Sequence, residues 1–234
     1  MNIETAATQE EILSLLYEKQ MVCPVCNKEV PNYMVRMSKL KMDSVDSDFR
    51  RRFKVIDPNR YEAFECIKCG YANLQLEVSK IDDRQKDLVR KKVTPEYKPP
   101  TYSIILSAED ALARFDQALV CAEAYNAKRS KMAFIHLKKA WVYRDMIARN
   151  NDEKQCLTQA YELLKEAFSF ENFPLGNLDE LTSQFLIGEL ARRLGMFEDA
   201  SRWISNIILN REAPAPLKAK AQDMKELIRE GKSD

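Results

Sequence analysis

The chain has 234 residues, of which 45% are hydrophobic, and a formal net charge of +1. This length fits one large domain or two small ones, and the hydrophobic content is sufficient for a buried core. The near-zero charge excludes a global electrostatic attraction to nucleic acid or to an anionic membrane. No apolar run approaches the roughly 18 residues of a membrane span, and the polar N-terminus does not resemble a signal peptide. We therefore expect a cytoplasmic protein with no membrane partner.

The N-terminal segment, residues 1–20, is acidic and predicts a short amphipathic helix. Its apolar residues are Ile12, Leu13, Leu15, Leu16 and Tyr17. Their spacing favours one helical face, so we predict a helix over Glu10–Gln20 that leads into the next segment.

Two cysteine pairs follow, Cys23-Pro-Val-Cys26 and Cys66-Ile-Lys-Cys69. Each pair places two sulfur ligands on one tight turn, and four thiolates together form a tetrahedral metal site. The residue after the second cysteine of such a turn tends to be left-handed, which favours Asn or Gly. Asn27 and Gly70 occupy those positions. We therefore predict one metal site with Cys23, Cys26, Cys66 and Cys69 as ligands.

The separation of the pairs is unusual, because 39 residues, 27 to 65, lie between Cys26 and Cys66. Alternating apolar residues predict strands over 30–35 and 60–65, which would bring the two turns together. Disulfides or unpaired buried thiols are the alternatives, and a reducing compartment disfavours disulfides. We expect the remaining cysteines, Cys121 and Cys156, to be small buried side chains.

Zinc is the expected cofactor, with iron as the alternative, since both accept four sulfur ligands. A zinc site closed by four protein ligands is structural, because a catalytic zinc needs an open position. Iron would instead make a rubredoxin-like redox centre.

The segment between the two turns carries a concentration of basic residues. Residues 21–98 have a net charge of +5. Interleaved aromatic residues make nucleic-acid binding a possible use of this insert, and acidic residues in it favour a plain solvated face instead. The candidate contacts are Arg36, Lys39, Arg50, Arg51, Arg52 and Lys54.

After the second turn, Leu74, Leu76 and Val78 predict a closing strand, and residues 79–93 predict a charged helix. The proline-rich stretch 94–100 ends that helix and is our predicted domain boundary. The predicted domains are thus 1–20, a four-cysteine domain over 21–98, and a helical domain over 99–234.

The helical domain shows 3.6-residue periodicity from Ser107 onward, with Asp110 completing a capping box. We predict further helices over 130–149, 152–170, a segment capped by Asn177 and ended by Gly195, 197–210 and 216–229. Gly188, Gly195 and Ala200 have the offsets of small residues in the tetratricopeptide repeat. The predicted fold is therefore α+β, mostly α: a small zinc-ribbon or rubredoxin-like β domain followed by a tetratricopeptide-like array of helical hairpins.

The combined pattern resembles an uncharacterised bacterial family, domain of unknown function 2225. The matching stretches are Cys23–Cys26, Ser38–Leu40, Asp46–Phe49, Cys66–Ala72 and Leu137–Arg144. The resemblance implies a metal-binding N-terminal part and a tetratricopeptide-like C-terminal part. It implies no activity or substrate.

No phosphate-binding glycine loop, nucleophile elbow or metalloprotease helix is present in the sequence. The single histidine, His136, has no identifiable nucleophile or orienting carboxylate beside it. We therefore expect a non-enzymatic zinc-binding adaptor that uses its helical domain to bind a protein or peptide partner. The alternatives are nucleic-acid binding through the basic insert and a rubredoxin-like iron or thiol redox sensor. The sequence does not set the oligomeric state.

Overall fold

The structure is a computed structural model that describes residues 7–231. It is α+β and mostly helical, with eight α-helices and three two-stranded antiparallel sheets among the described residues. The first helix and strands are α1 Gln9–Ser14, β1 Leu16–Val22, β2 Glu29–Val35, β3 Met42–Val45, β4 Arg51–Phe53, β5 Ala63–Glu65 and β6 Ala72–Leu74. The remaining helices are α2 Asp83–Lys92, α3 Ala108–Ala124, α4 Arg129–Arg144, α5 Asn150–Phe170, α6 Glu180–Arg193, α7 Phe197–Leu209 and α8 Ala215–Glu230.

The chain forms two compact units. The first unit contains residues 7–46, Arg51–Ala127 and Trp141–Met146. The helical unit contains Ser47–Arg50, Lys128–Ala140 and residues 147–231. The proline-rich stretch 94–100, which we predict as a boundary, lies within the first unit. No helix of residues 7–231 is both long and apolar enough to cross a bilayer.

The prediction of one N-terminal helix over Glu10–Gln20 is wrong beyond its first turns. The helix ends at Ser14, and Leu16–Val22 pairs with β2 from Leu16↔Val35 to Val22↔Glu29. Pairing with the next strand of the hairpin overrides the local helical pattern here. Leu15 and Leu16 are still buried, in a cluster with Ile56, Tyr61 and Leu106.

The strands predicted around the two cysteine turns are partly correct. The first is confirmed as β2. In the second, a 3₁₀ turn takes Pro58–Tyr61, because Asp57 accepts a hydrogen bond from the backbone N–H of Asn59 and Pro58 begins the turn. Only Ala63–Glu65 is extended, and it pairs with Ala72–Leu74.

The predicted closing strand over 74–78 is also mostly wrong, since Gln75–Glu77 forms a 3₁₀ turn and Leu76 is 84% exposed. The charged helix after it is shorter than predicted and begins after Asp82. Asp82 and Gln85 form the capping box.

The helix predictions of the C-terminal half are largely confirmed. Ser107 and Asp110 form the expected capping box. The helix predicted over 130–149 ends at Arg144, and Ala148 has a φ of +61°, which separates it from α5. Helix α6 is capped by Asp179 rather than by Asn177.

Helices α6 and α7 form a closely packed hairpin. A Cβ added at Gly188 would lie 2.8 Å from Cδ1 of Ile204, so a larger residue here would have to displace the Ile204 side chain. Gly195 makes the turn with a φ of +78°. Ala200 and Ile204 of α7 are fully buried. Helix α8 packs against both helices.

Candidate metal centre

Each cysteine pair lies on the loop of its own β-hairpin. Cys23 and Cys26 fall between β1 and β2, and Cys66 and Cys69 fall between β5 and β6. In both loops the residue after the second cysteine is left-handed, as predicted: Asn27 has a φ of 58° and Gly70 one of 77°.

The two loops share the same backbone hydrogen bonds. The N–H of Asn27 donates to the carbonyl of Cys23 at 2.8 Å, and the N–H of Gly70 donates to that of Cys66 at 2.8 Å. These bonds fold each loop so that both of its sulfurs point the same way. The two hairpins therefore present equivalent pairs of ligands.

The structure brings all four sulfurs together. Their Sγ atoms lie within 4.8 Å of one another. Cys23 and Cys69 are separated by 3.6 Å, and Cys26 and Cys66 by 3.7 Å. A tetrahedron with metal–sulfur bonds of about 2.3 Å has edges of about 3.8 Å, so the observed separations fit a single tetrahedral ion.

The disulfide alternative does not fit these distances. A disulfide bond is about 2.05 Å long, far shorter than the 3.6 and 3.7 Å between the sulfurs of the two pairs. Cys121 and Cys156 are buried as predicted, and neither belongs to the cluster. The four cysteines therefore form a cluster that could hold a metal ion.

The clustered thiols shift one another's pKa values in opposite directions. Hydrogen bonding with Cys66 holds the pKa of Cys23 up at about 12. Cys23 and then Cys66 raise the pKa of Cys69 far above its ordinary value, whereas Cys23 and Cys69 lower that of Cys66 to about 2. A thiolate accepts hydrogen bonds from the neighbouring thiols and so holds their protons in place. A bound divalent cation displaces those protons, because its thiol ligands must be deprotonated.

Backbone N–H groups stabilise the first sulfur of each pair in the same way. Those of Val25 and Cys26 lower the pKa of Cys23, and those of Lys68 and Cys69 lower that of Cys66. Such donors are suited to thiolates, which carry negative charge when they bind a metal.

The second loop is held in place by side chains of the surrounding helices. The Thr94 hydroxyl donates to the carbonyl of Cys69 at 2.9 Å, and Gln117 Nε2 donates to the carbonyl of Gly70 at 2.7 Å. The first loop is held by Arg90, which donates to the carbonyl of Val25 at 2.7 and 3.0 Å. Sequence reasoning missed these residues, because nothing in their spacing relates them to the cysteines.

A buried polar cluster supports Gly70 from the other side. The Tyr97 ring lies against Gly70, and its hydroxyl donates to Glu65 at 2.8 Å. Tyr102 donates to the other oxygen of Glu65 at 2.6 Å. Burial and the Glu65 hydrogen bond raise the pKa of both tyrosines. Arg114, 5% exposed, has its pKa lowered by burial, and Glu65 is the foremost charge that opposes this shift.

The six basic residues predicted as nucleic-acid contacts do not form one exposed patch of uncompensated charge. Arg50 is 2% exposed, so its side chain is not available on the surface. Arg52 forms ion pairs with Asp46 at 2.6 Å and with Asp145 at 3.2 Å. The others are placed as follows: Arg36 lies over the Tyr17 ring, Lys39 and Arg51 are exposed, and Lys54 lies 4.0 Å from Asp43.

The chain belongs to the family described as an uncharacterized protein conserved in bacteria, domain of unknown function 2225, whose profile matches residues 16–228. No curated protein and no solved structure matches the chain.

Proposed function

We propose that this member of the family is a non-enzymatic zinc protein in which the metal stabilises the first unit and the helical unit binds a protein partner. The observation that carries the proposal is the convergence of four sulfurs from two hairpins within 4.8 Å. The chain itself fills all four ligand positions, which leaves no open position for a substrate.

Zinc is the proposed ion because a closed four-sulfur site is typical of structural zinc. The free energy of binding then contributes to folding, since the two hairpins are short and neither β1–β2 nor β5–β6 extends into a larger sheet. A site of four clustered thiols needs a reducing compartment to stay reduced, so we propose that the protein works in the cytoplasm.

Iron fits the same sulfur geometry and would make the protein a redox carrier. The two ions differ in colour, because ferric iron with four thiolates absorbs strongly in the visible range and zinc does not. Absorbance of the native protein therefore separates the adaptor from the redox alternative.

The protein-binding role is supported by the α6–α7 hairpin. Its small residues, Gly188, Gly195 and Ala200, lie where a tetratricopeptide repeat has them, and the helices approach closely at Gly188. Arrays of such hairpins commonly bind peptides along one face.

The test compares affinity capture from a bacterial lysate by the wild-type chain and by Gly188→Leu. A leucine at this position separates α6 from α7, and the cysteine cluster lies in the other unit. We expect a partner that the wild type captures reproducibly and that the variant loses while retaining its zinc. Capture of the same proteins by both chains would contradict binding through the helical unit.

A further inference from the structure

Two residues at the tip of the β3–β4 hairpin, Asp48 and Arg50, are buried although strand β3 is exposed. All four residues of β3 are exposed, whereas Asp48 is 0% exposed and Arg50 is 2% exposed. Ser47–Arg50 is part of the helical unit. Four residues of the insert thus pack as part of a helical structure whose other residues begin only at Lys128.

Polar groups of α6 hold this tip. Ser47 Oγ donates to Glu189 Oε1 at 2.6 Å and accepts from Arg193 Nη2 at 3.0 Å. Arg193 Nε lies 3.8 Å from Asp48 Oδ2 and donates to Glu189 at 2.7 Å. Arg193 is therefore shared between an acid of the helix and an acid of the tip.

The α6 side of these contacts contains a fully buried ion pair. Glu189 and Arg192 are both 0% exposed, and the guanidinium of Arg192 donates to both oxygens of Glu189, at 2.8 and 3.0 Å. This pair fixes the Glu189 carboxylate where it accepts from Ser47. Buried charges held in this way are selective for their partner, because a partner group that is misplaced or missing leaves a buried charge unpaired at a cost in free energy.

An aromatic contact completes the arrangement. The Phe49 ring centroid lies 5.6 Å from that of Phe185 on α6, and the Lys220 ammonium of α8 lies 6.0 Å from the Phe49 ring centroid. Phe49 has a φ of +70°, which costs a non-glycine residue about 1–2 kcal/mol. The contacts with α6 and α8 compensate for this cost, which local sequence preference would not.

From these contacts we propose that the face of α6 and α8 around Phe185, Glu189 and Arg193 is a recognition site for a Ser-Asp-Phe turn. The chain's own hairpin tip fills this site, and a partner protein that presents an exposed acidic–aromatic turn displaces the tip and binds there. The proposal rests on the proposed protein-binding role of the helical unit and specifies the chemistry of its partner. The partner must bring a carboxylate for Arg193, a hydroxyl for Glu189 and a ring for Phe185.

Release of the tip is physically accessible. Strands β3 and β4 form a sheet of two strands only, and isolated hairpins of this kind are marginally stable in water. The chain's own hairpin tip and the turn of a partner protein therefore compete for one site.

The test uses full-length protein and a fluorescent peptide with the sequence of residues 44–52. Phe49→Ala weakens the binding of the chain's own hairpin tip to α6 and α8. Arg51→Ala is the matched control, because Arg51 is exposed on the same hairpin. We expect Phe49→Ala to bind the peptide at least about tenfold more tightly than the wild type or the control does. We also expect peptides that carry Asp48→Asn or Phe49→Ala to bind about tenfold more weakly than the unchanged peptide.

Equal binding of the unchanged and substituted peptides, or no binding to a folded Phe49→Ala chain, would overturn the proposal. If that variant does not fold, amide hydrogen exchange of the wild type tests whether the peptide displaces the tip. Excess peptide should speed exchange over residues 46–52, and unchanged exchange at saturating peptide would refute displacement. Peptide binding together with failed lysate capture would reject the adaptor role alone, whereas the reverse outcome would reject this site alone.

Discussion

Substitution of Gly70 by alanine tests the packing around the second cysteine loop. Gly70 has a φ of +77°, and an added Cβ would lie 2.4 Å from Cγ of Tyr97. Gly195 is a matched control, because its φ is +78° and nothing lies within 4 Å of an added Cβ. The two substitutions share the backbone cost and differ in the steric one.

The expected magnitudes follow from this difference. The left-handed conformation costs alanine about 1–2 kcal/mol at either position. At Gly70 the clash adds about 1–3 kcal/mol, since the Tyr97 ring is held by its hydrogen bond to Glu65 at 2.8 Å and does not move freely. Gly70→Ala should therefore lower the free energy of unfolding by about 2–5 kcal/mol, and Gly195→Ala by about 1–2 kcal/mol.

Urea unfolding of the metal-loaded protein measures both effects separately. Trp141 belongs to the first unit and Trp203 to the helical unit, and the chain has 2 tryptophans. Replacing one or the other by phenylalanine makes the fluorescence specific for one unit. Gly70→Ala should lower the midpoint that Trp141 reports, and Gly195→Ala the midpoint that Trp203 reports.

A double variant checks the cause. In a Tyr97→Ala background the clash with the ring is gone and only the 2.8 Å approach to the Cβ of residue 97 remains, so adding Gly70→Ala should cost less than it does in the wild type. The reasoning is refuted if Gly70→Ala costs no more than Gly195→Ala, or if its cost is unchanged when Tyr97 is removed.

Further predictions concern the ligands and the buried charges of the first unit. Cys69→Ser should abolish tight metal binding, whereas Cys121→Ser should keep it, as metal analysis after dialysis will report. Glu65→Gln should destabilise the first unit by about 2 kcal/mol in urea, because it removes the carboxylate that accepts hydrogen bonds from Tyr97 and Tyr102. Burial raises the pKa of Asp46, but two arginine partners outweigh it and lower the pKa below 3.8. The stability that Asp46 adds is therefore complete above that value and is lost as the pH falls through the folded pKa. As the pH falls through the folded pKa, the unfolding free energies of the wild type and of Asp46→Asn should converge. A difference that stays constant with pH would contradict the lowered pKa of Asp46.

The sequence predicted the cysteine cluster because its signal is local. A Cys-x-x-Cys spacing with Asn27 or Gly70 after it specifies a turn and a backbone conformation within a few residues. The helices from Ser107 onward were predictable for the same reason, since periodicity and caps such as Ser107 with Asp110 act over one or two turns.

The errors arose where pairing between distant residues decides the conformation. Leu16–Val22 has a helical pattern, but it becomes a strand because β2 offers a full set of hydrogen-bonding partners. The burial of Asp48 and Arg50 depends on a helical unit that no local pattern connects to them. For that reason the prediction of Arg50 as a surface contact is wrong, since its side chain is buried.

The direct test of the central claim is X-ray absorption at the metal edge of the native protein, together with metal content per chain. The account predicts one zinc ion per chain with four sulfur neighbours at about 2.3 Å. A native chain with four reactive thiols and no bound metal, or an ion whose neighbours include nitrogen or oxygen, would contradict it.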